Sequence, residues 1–363
     1  MDEAALGFLR ELIKTPSPSG YERQIQSVVR RRVDDQADQI DIDSHGNLIA
    51  VKNPGAPLRV MLAGHCDQIG LIVQHIDDDG YLYVQPIGGW DPIMLVGQRA
   101  TVWTEPAGRA PGEPPACEAV AGVIGRKPIH LLTEEERKQV PKLKDLWVDI
   151  GAKNKAEAAA RVRVGDPVTP ALDWCELANG RVAAPAMDDK AGLWVVAEAF
   201  RRAERSRLRC SLYLASTVQE ELGLRGAKTS SFGIDPQIGI AVDVTHATDC
   251  PTVEKKEEGD VRVGQGPVIY RGPNFSPRVV ERLVAAADKH RISYQLAAAG
   301  RPPGTDANAI QLNRAGVAAG LVSIPNRYMH SPVELVSLDD LNRAADLLAR
   351  FVEELPAELD LRP

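Results

Sequence analysis

Two adjacent carboxylates, Glu220 and Glu221, close the apolar run Cys210–Val218. Neighbouring carboxylates repel, so an arrangement that keeps both calls for a cation, and a metal ion is the obvious one. Taken alone, such a pair is more simply a solvated turn. Three other apolar runs end in the same way, however: Leu58–Gly64 in His65, Ile238–Val242 in Asp243, and Ala318–Pro325 in a short loop carrying His330. In open α/β sheets, ligands gather at such strand ends. Asp67 follows His65 at i+2, the same face of an extended chain, where a carboxylate can fix the imidazole tautomer and raise its basicity. The alternative for His65 is a buried histidine satisfied by hydrogen bonds alone. Asp188, in Met187-Asp-Asp-Lys190 ahead of a long helical pattern, fits two roles. It is either the N-cap of that helix or a bridging ligand oriented by the neighbouring Lys190 cation.

His65, Asp188, Glu221, Asp243 and His330 together make five nitrogen and oxygen ligands with no thiolate. That set suits two divalent ions such as zinc, cobalt or manganese, bridged by one aspartate and a water. Adjacent side chains diverge, so with Glu221 on a metal, Glu220 can stand over the bridging water as general base and pass its proton to a leaving amine. The expected chemistry is metal-assisted hydrolysis. His45, His75, His130 and His290 lack this setting and are read as surface or structural residues, and His246 and Asp249 as loop residues beyond Asp243.

The elements that must position these groups alternate helical and strand patterns. Helices are expected from Ala4 to Leu12, from Tyr21, from Asp188 through Phe200, from Pro277 to Ser293, and from Ser337, a candidate N-cap, to Leu355. A hairpin turns at Gly46-Asn47. From 69 to 172 the texture changes to short β-like runs separated by Asp-Gly, Gly-Gly and proline-rich turns, a small all-β, barrel-like insertion. Within it, 133–144 is expected as helix or loop and 156–164 as a short helix. Gly88-Gly-Trp-Asp-Pro92 reads as a turn with an anchoring tryptophan, facing the site only as the less simple reading. The expected division is a discontinuous catalytic domain, 1–68 and 173–363, interrupted by the insertion.

Length and composition agree with this plan. At 363 residues and 44% hydrophobic the chain is long enough for two cores. Net charge is −7 with signs mixed along the chain, which offers no basic stripe to nucleic acid or anionic lipid. No apolar run reaches the roughly 18 to 20 residues of a membrane span, and the acidic N-terminal stretch is unlike a signal peptide, so a cytoplasmic location is expected. Five scattered cysteines without C-x-x-C spacing argue against a disulfide frame or a thiolate zinc site.

The phrases Gly64-His-Cys-Asp67, Gly88-Gly-Trp-Asp-Pro92, Met187-Asp-Asp-Lys190, Val218-Gln-Glu-Glu-Leu-Gly223, Ala241-Val-Asp-Val-Thr245, Gly304-Thr-Asp-Ala307 and Arg327-Tyr-Met-His-Ser-Pro332 occur in order over almost the whole chain. They resemble the signatures of the glutamyl, or tetrahedral, aminopeptidase family. The resemblance implies a doubly wound α/β catalytic domain with a mixed sheet, and peptide substrates. It also implies one metal on His65, Asp188 and Asp243, a second on Asp188, Glu221 and His330, Glu220 as base and Asp67 as orienting acid. It further implies self-association through the insertion into dimers or dodecamers. Cys66 and Lys190 depart from the usual Met and Arg.

Three rivals stand beside this reading. A related di-metal amidohydrolase, a deacylase or dipeptidase, would use the same ligand types. A glycoside hydrolase would need two carboxylates about 5 to 9.5 Å apart across a sugar bond, which adjacent Glu220 and Glu221 do not obviously supply. An inactive binding protein would have had no reason to keep five ligands and a base.

Overall fold

A computed structural model describes residues 1–105 and 117–362. The strands in chain order are β1 Gln39–Ile42, β2 Leu48–Lys52, β3 Arg59–His65, β4 Gly70–Ile76, β5 Leu82–Ile87, β6 Arg99–Thr104, β7 Glu118–Arg126, β8 Leu146–Asp149 and β9 Pro167–Pro170. They continue as β10 Cys175–Leu177, β11 Arg181–Ala184, β12 Ser211–Thr217, β13 Ile238–His246, β14 Val268–Arg271, β15 Gln295–Ala298, β16 Ala318–Asn326 and β17 Glu334–Ser337.

Eight of these form one mixed sheet in the order β1-β2-β12-β3-β13-β16-β14-β15. Its four inner strands, β12, β3, β13 and β16, run parallel. They are the four apolar runs, and they are apolar throughout because helices cover both faces. The glycines show this. A Cβ on Gly64 would lie 2.9 Å from the backbone of Leu193, in the helix Met187–Arg202. One on Gly239 would lie 2.4 Å from Ile310, in the helix Asp306–Gln311. Because Gly239 is level with Met61, it shares a face with Met61, not with Gly64, so the two helices press on opposite sides. The fold is the doubly wound mixed sheet that the family resemblance implied.

Register brings the ligand-bearing ends together. Thr217 is paired with His65, so Glu220 and Glu221 lie just beyond the level of His65. Ala241 is paired with Ala63, which carries Asp243 to the same level.

Strands β4-β5-β8-β7-β6-β9 close into a barrel around Leu71, Val73, Leu82, Val102, Val148 and Val168, all buried. Of its six strands, β8 and β9 were not anticipated, being short and weakly patterned. The expected helix at 156–164 is confined to Lys155–Ala159, and 133–144 forms a short helix, Glu134–Lys138, capped reciprocally by Thr133 and Glu136. A small sheet, β10-β11-β17, was also unforeseen. It pairs Ala184 with Glu334 and so places that acid under the start of Met187–Arg202. Ser337 precedes the last helix, Leu338–Glu353, but its side chain makes no capping bond. Among the described residues no helix is long and apolar enough to cross a membrane.

Candidate active site

His65 and His330 face each other across Asp188. His65 Nε2 is 3.2 Å from Asp188 Oδ1, and His330 Nε2 is 3.4 Å from Asp188 Oδ2. The second nitrogen of each ring is already committed, His65 Nδ1 to the Asp67 carbonyl at 3.1 Å and His330 Nδ1 to the Gly89 carbonyl at 2.8 Å. A carbonyl can only accept, so Nδ1 of each ring carries a proton and donates it, which leaves both Nε2 atoms facing one carboxylate. Glu221 Oε1 lies 3.5 Å from His330 Nε2, while Glu220 Oε2 and Asp243 Oδ1 lie 3.8 and 3.9 Å from His65 Nε2. Two groups of three potential ligand atoms result: His65, Glu220 and Asp243, and Asp188, Glu221 and His330. All six expected metal-centre and base residues thus converge. Glu220 comes as close to His65 as Asp243 does, so both members of the Glu220-Glu221 pair face the centre.

The electrostatics are those of acids packed without enough positive charge. Burial, reinforced by Asp243 and other acids, pushes Glu220 up to about 10. Burial and the Asp188 charge push Asp243 well above the carboxylate range, and burial raises Glu221 as well. Asp188 alone among them is held down, because hydrogen bonds from both imidazoles outweigh its burial. Hydrogen bonds to Asp188 and Glu221 raise His330 to about 11. Buried carboxylates at this density, with two imidazole Nε2 atoms among them, fit divalent cations, which would take the place of the Nε2 protons.

Asp67 does more than orient His65. Its Oδ1 accepts from the backbone N–H of Glu220 at 2.9 Å and its Oδ2 from that of Glu221 at 3.2 Å, with Ser19 Oγ donating at 2.6 Å. Asn47 Oδ1 and Glu22 Oε1 accept from the two preceding N–H groups, those of Val218 and Gln219. Four successive amides of the turn are therefore held by side chains from three other elements. Burial, with the nearby Asp67 charge, raises Glu22 to about 7.

Three readings of the residues change. Asp188 is not the cap: the regular helix begins after Asp188 and Asp189, both of non-helical φ/ψ, and it is Asp189 whose Oδ1 accepts from Gly192 N at 3.0 Å. Lys190 does not steer Asp188, since its ammonium turns away to the Thr15 carbonyl and Gln68 Oε1 at 2.7 and 2.6 Å. The Gly88–Pro92 turn belongs to the site, because Gly89 fixes His330 and a Cβ on Gly88 would crowd Glu221 Oε2 at 3.3 Å. Asp243 also lies inside β13, three residues short of its end, and beyond that strand Asp249 is paired with Arg327. Sequence reasoning missed three buried acids. Glu334 accepts from the backbone N–H of Asp188 and of His330 at 2.9 and 2.7 Å. Asp306 accepts from Thr217 Oγ1 at 2.6 Å, and Glu22 is the third. Asp306 had a signal, an acid opening a helix after Gly304-Thr305; Glu22 and Glu334 had none.

The sequence matches the M42 glutamyl aminopeptidase family over residues 46–347. The chain belongs to that family. A lysyl aminopeptidase of Pyrococcus furiosus is 39% identical over 354 residues, covering 96% of each chain. Among solved structures, the aminopeptidase APDkam598 of the archaeon Desulfurococcus kamchatkensis superposes with a TM-score of 0.88 at 39% identity, covering 98% of this chain and 96% of that one. The TET1 peptidase of Pyrococcus horikoshii, described as assembling into a tetrahedron or a large octahedral shell, gives 0.84 at 32% identity over 97% and 100%. This M42 chain is therefore a peptide hydrolase of the aminopeptidase type, and its buried cluster of acids and histidines is a candidate metal-binding centre.

Proposed function

We propose that the chain releases N-terminal residues from peptides at a two-metal centre held by His65, Asp188, Glu221, Asp243 and His330. The observation that carries this is Asp188, whose two oxygens face the Nε2 atoms of two different imidazoles at 3.2 and 3.4 Å, so that both sites would share it. His65 and Asp243 would complete one site, Glu221 and His330 the other. Two divalent cations, zinc or cobalt before manganese, would supply Lewis acidity for the scissile carbonyl and acidify the attacking water. Glu220 takes the proton of that water and returns it to the departing amine nitrogen. Asp67 positions both glutamates through their backbone N–H groups and holds the His65 tautomer through its own carbonyl. The cavity at the centre has a volume of about 410 Å³. Residues 1–68 and 173–363 form the catalytic domain, and 69–172 the inserted domain through which copies associate, as dimers or dodecamers, in the cytoplasm.

The test pairs turnover with metal content. Glu220→Gln keeps both metals by elemental analysis and loses roughly a hundredfold or more in kcat. Undiminished kcat would remove Glu220 from its role. Cleavage of N-acyl amino acids in preference to amino-acid amides would favour a deacylase instead.

A further inference from the structure

From the walls of the catalytic cavity we infer that this chain selects peptides with an uncharged, aliphatic or thioether N-terminal side chain. The inference rests on the aminopeptidase reading above and names the substrate class of the same site. Register places Asp243 beside Ser323, and Tyr270 beyond Leu321, on one face of β13, β16 and β14. Thr245, two residues past Asp243, continues that face. The wall leading away from the metal ligands is therefore Ser323, Leu321, Tyr270 and Thr245, all lining the cavity. Thr245 Oγ1 and Tyr270 Oη hydrogen-bond to each other at 2.6 Å, which uses much of their polarity internally. Opposite stand Met329 and the turn Pro303–Thr305.

Beyond the proposed ligands and Glu220, the described lining residues include no lysine, arginine, aspartate or glutamate, and the one further titratable base, His246, is solvent-exposed at the strand end. A lysine side chain in this space would lose water without gaining a carboxylate that is not already committed. A glutamate side chain would meet Asp243 and Glu220 with no cation of its own. Burying either charge unpaired is costly, whereas an aliphatic chain gains contact with Leu321, Met329 and the Tyr270 ring. Ser323 Oγ and Thr305 Oγ1 have no partner among the described residues, and they add polarity without charge. The expected preference differs from the one that names the lysyl aminopeptidase 39% identical to this chain.

The experiment compares kcat/KM of the purified, metal-loaded enzyme on leucyl, methionyl, lysyl and glutamyl p-nitroanilides, with inhibition by the four free amino acids as a second readout. The expected result is leucyl and methionyl above lysyl and glutamyl by roughly tenfold or more, with free leucine and methionine the tighter inhibitors. Lysyl or glutamyl substrates equal to or better than leucyl overturn the inference and leave the aminopeptidase reading standing. Silence on all four, with N-acyl amino acids cleaved, overturns both. In Thr245→Asp, an acid placed on the wall raises the lysyl-to-leucyl ratio by roughly tenfold; an unchanged ratio overturns the placement of the side chain against this wall.

Discussion

At the scale of single residues, the centre is built from groups that would be unstable together without cations. His330 is the most exposed of the set, with about a third of its side chain accessible, and it is held from behind by Gly89. His330→Ala is expected to lower metal content from two ions per chain toward one, and full occupancy by elemental analysis would refute its role. Glu22 allows a prediction about pH. Its carboxyl titrates near 7 in the folded chain because burial disfavours the charged form. Unfolded, it titrates near the ordinary glutamate value of about 4.3. Between those values the folded state binds the extra proton, so stability falls as pH rises through the window, by about 4 kcal/mol in all. Glu22→Gln keeps an acceptor for the Gln219 and Gly20 amides and removes that slope. Thermal midpoints measured from pH 4.5 to 8 should decline less in the variant than in the parent; identical declines would refute the assignment.

Elements act here through register and close approach. Thr217, His65 and Asp243 lie level because β12 and β13 are each locked to β3, so a shift of one residue would turn His65 or Asp243 to the opposite face. Gly64 sets how closely the helix carrying Asp188 and Asp189 lies against the strand carrying His65. In Gly64→Ala the new Cβ would sit 2.9 Å from Leu193 Cα and N, backbone atoms that cannot rotate away. The expected cost is about 1–3 kcal/mol in denaturant unfolding. A fall in kcat larger than the change in KM should accompany it, because His65 and Asp188 part. The barrel contributes at this scale too, since the turn after β5 supplies the carbonyl that orients His330.

The whole molecule combines a doubly wound sheet, which carries the five proposed ligands and the proposed base, with a barrel inserted between β3 and the later strands. The relative from Pyrococcus horikoshii is described as able to assemble into a tetrahedron or a large octahedral shell. For this chain we expect light scattering of the native protein to give a mass that is a multiple of the 39.3 kDa chain. A mass of one chain at micromolar concentration would overturn the proposed association.

The sequence by itself determined the residue types of the proposed ligands and the apolar runs that carry most of them. Apolar runs long enough to be inner strands, each closing on histidine or acid, carry that information locally, as do the change to short turn-bounded strands after Gln68 and the ordered phrases of the family. Only the tertiary structure decided which partners those groups meet. That Asp189 rather than Asp188 caps its helix depends on backbone angles that two adjacent aspartates do not advertise. The fourfold hold on the amides from Val218 to Glu221 joins Glu22, Asn47 and Asp67, which lie more than 150 residues away in sequence. Glu334 reaches Asp188 through a three-stranded sheet whose strands are too short to leave a pattern. A side chain's type and its neighbours in sequence are written locally; the carboxylates and amides it faces across the fold are fixed only when the sheet closes its register.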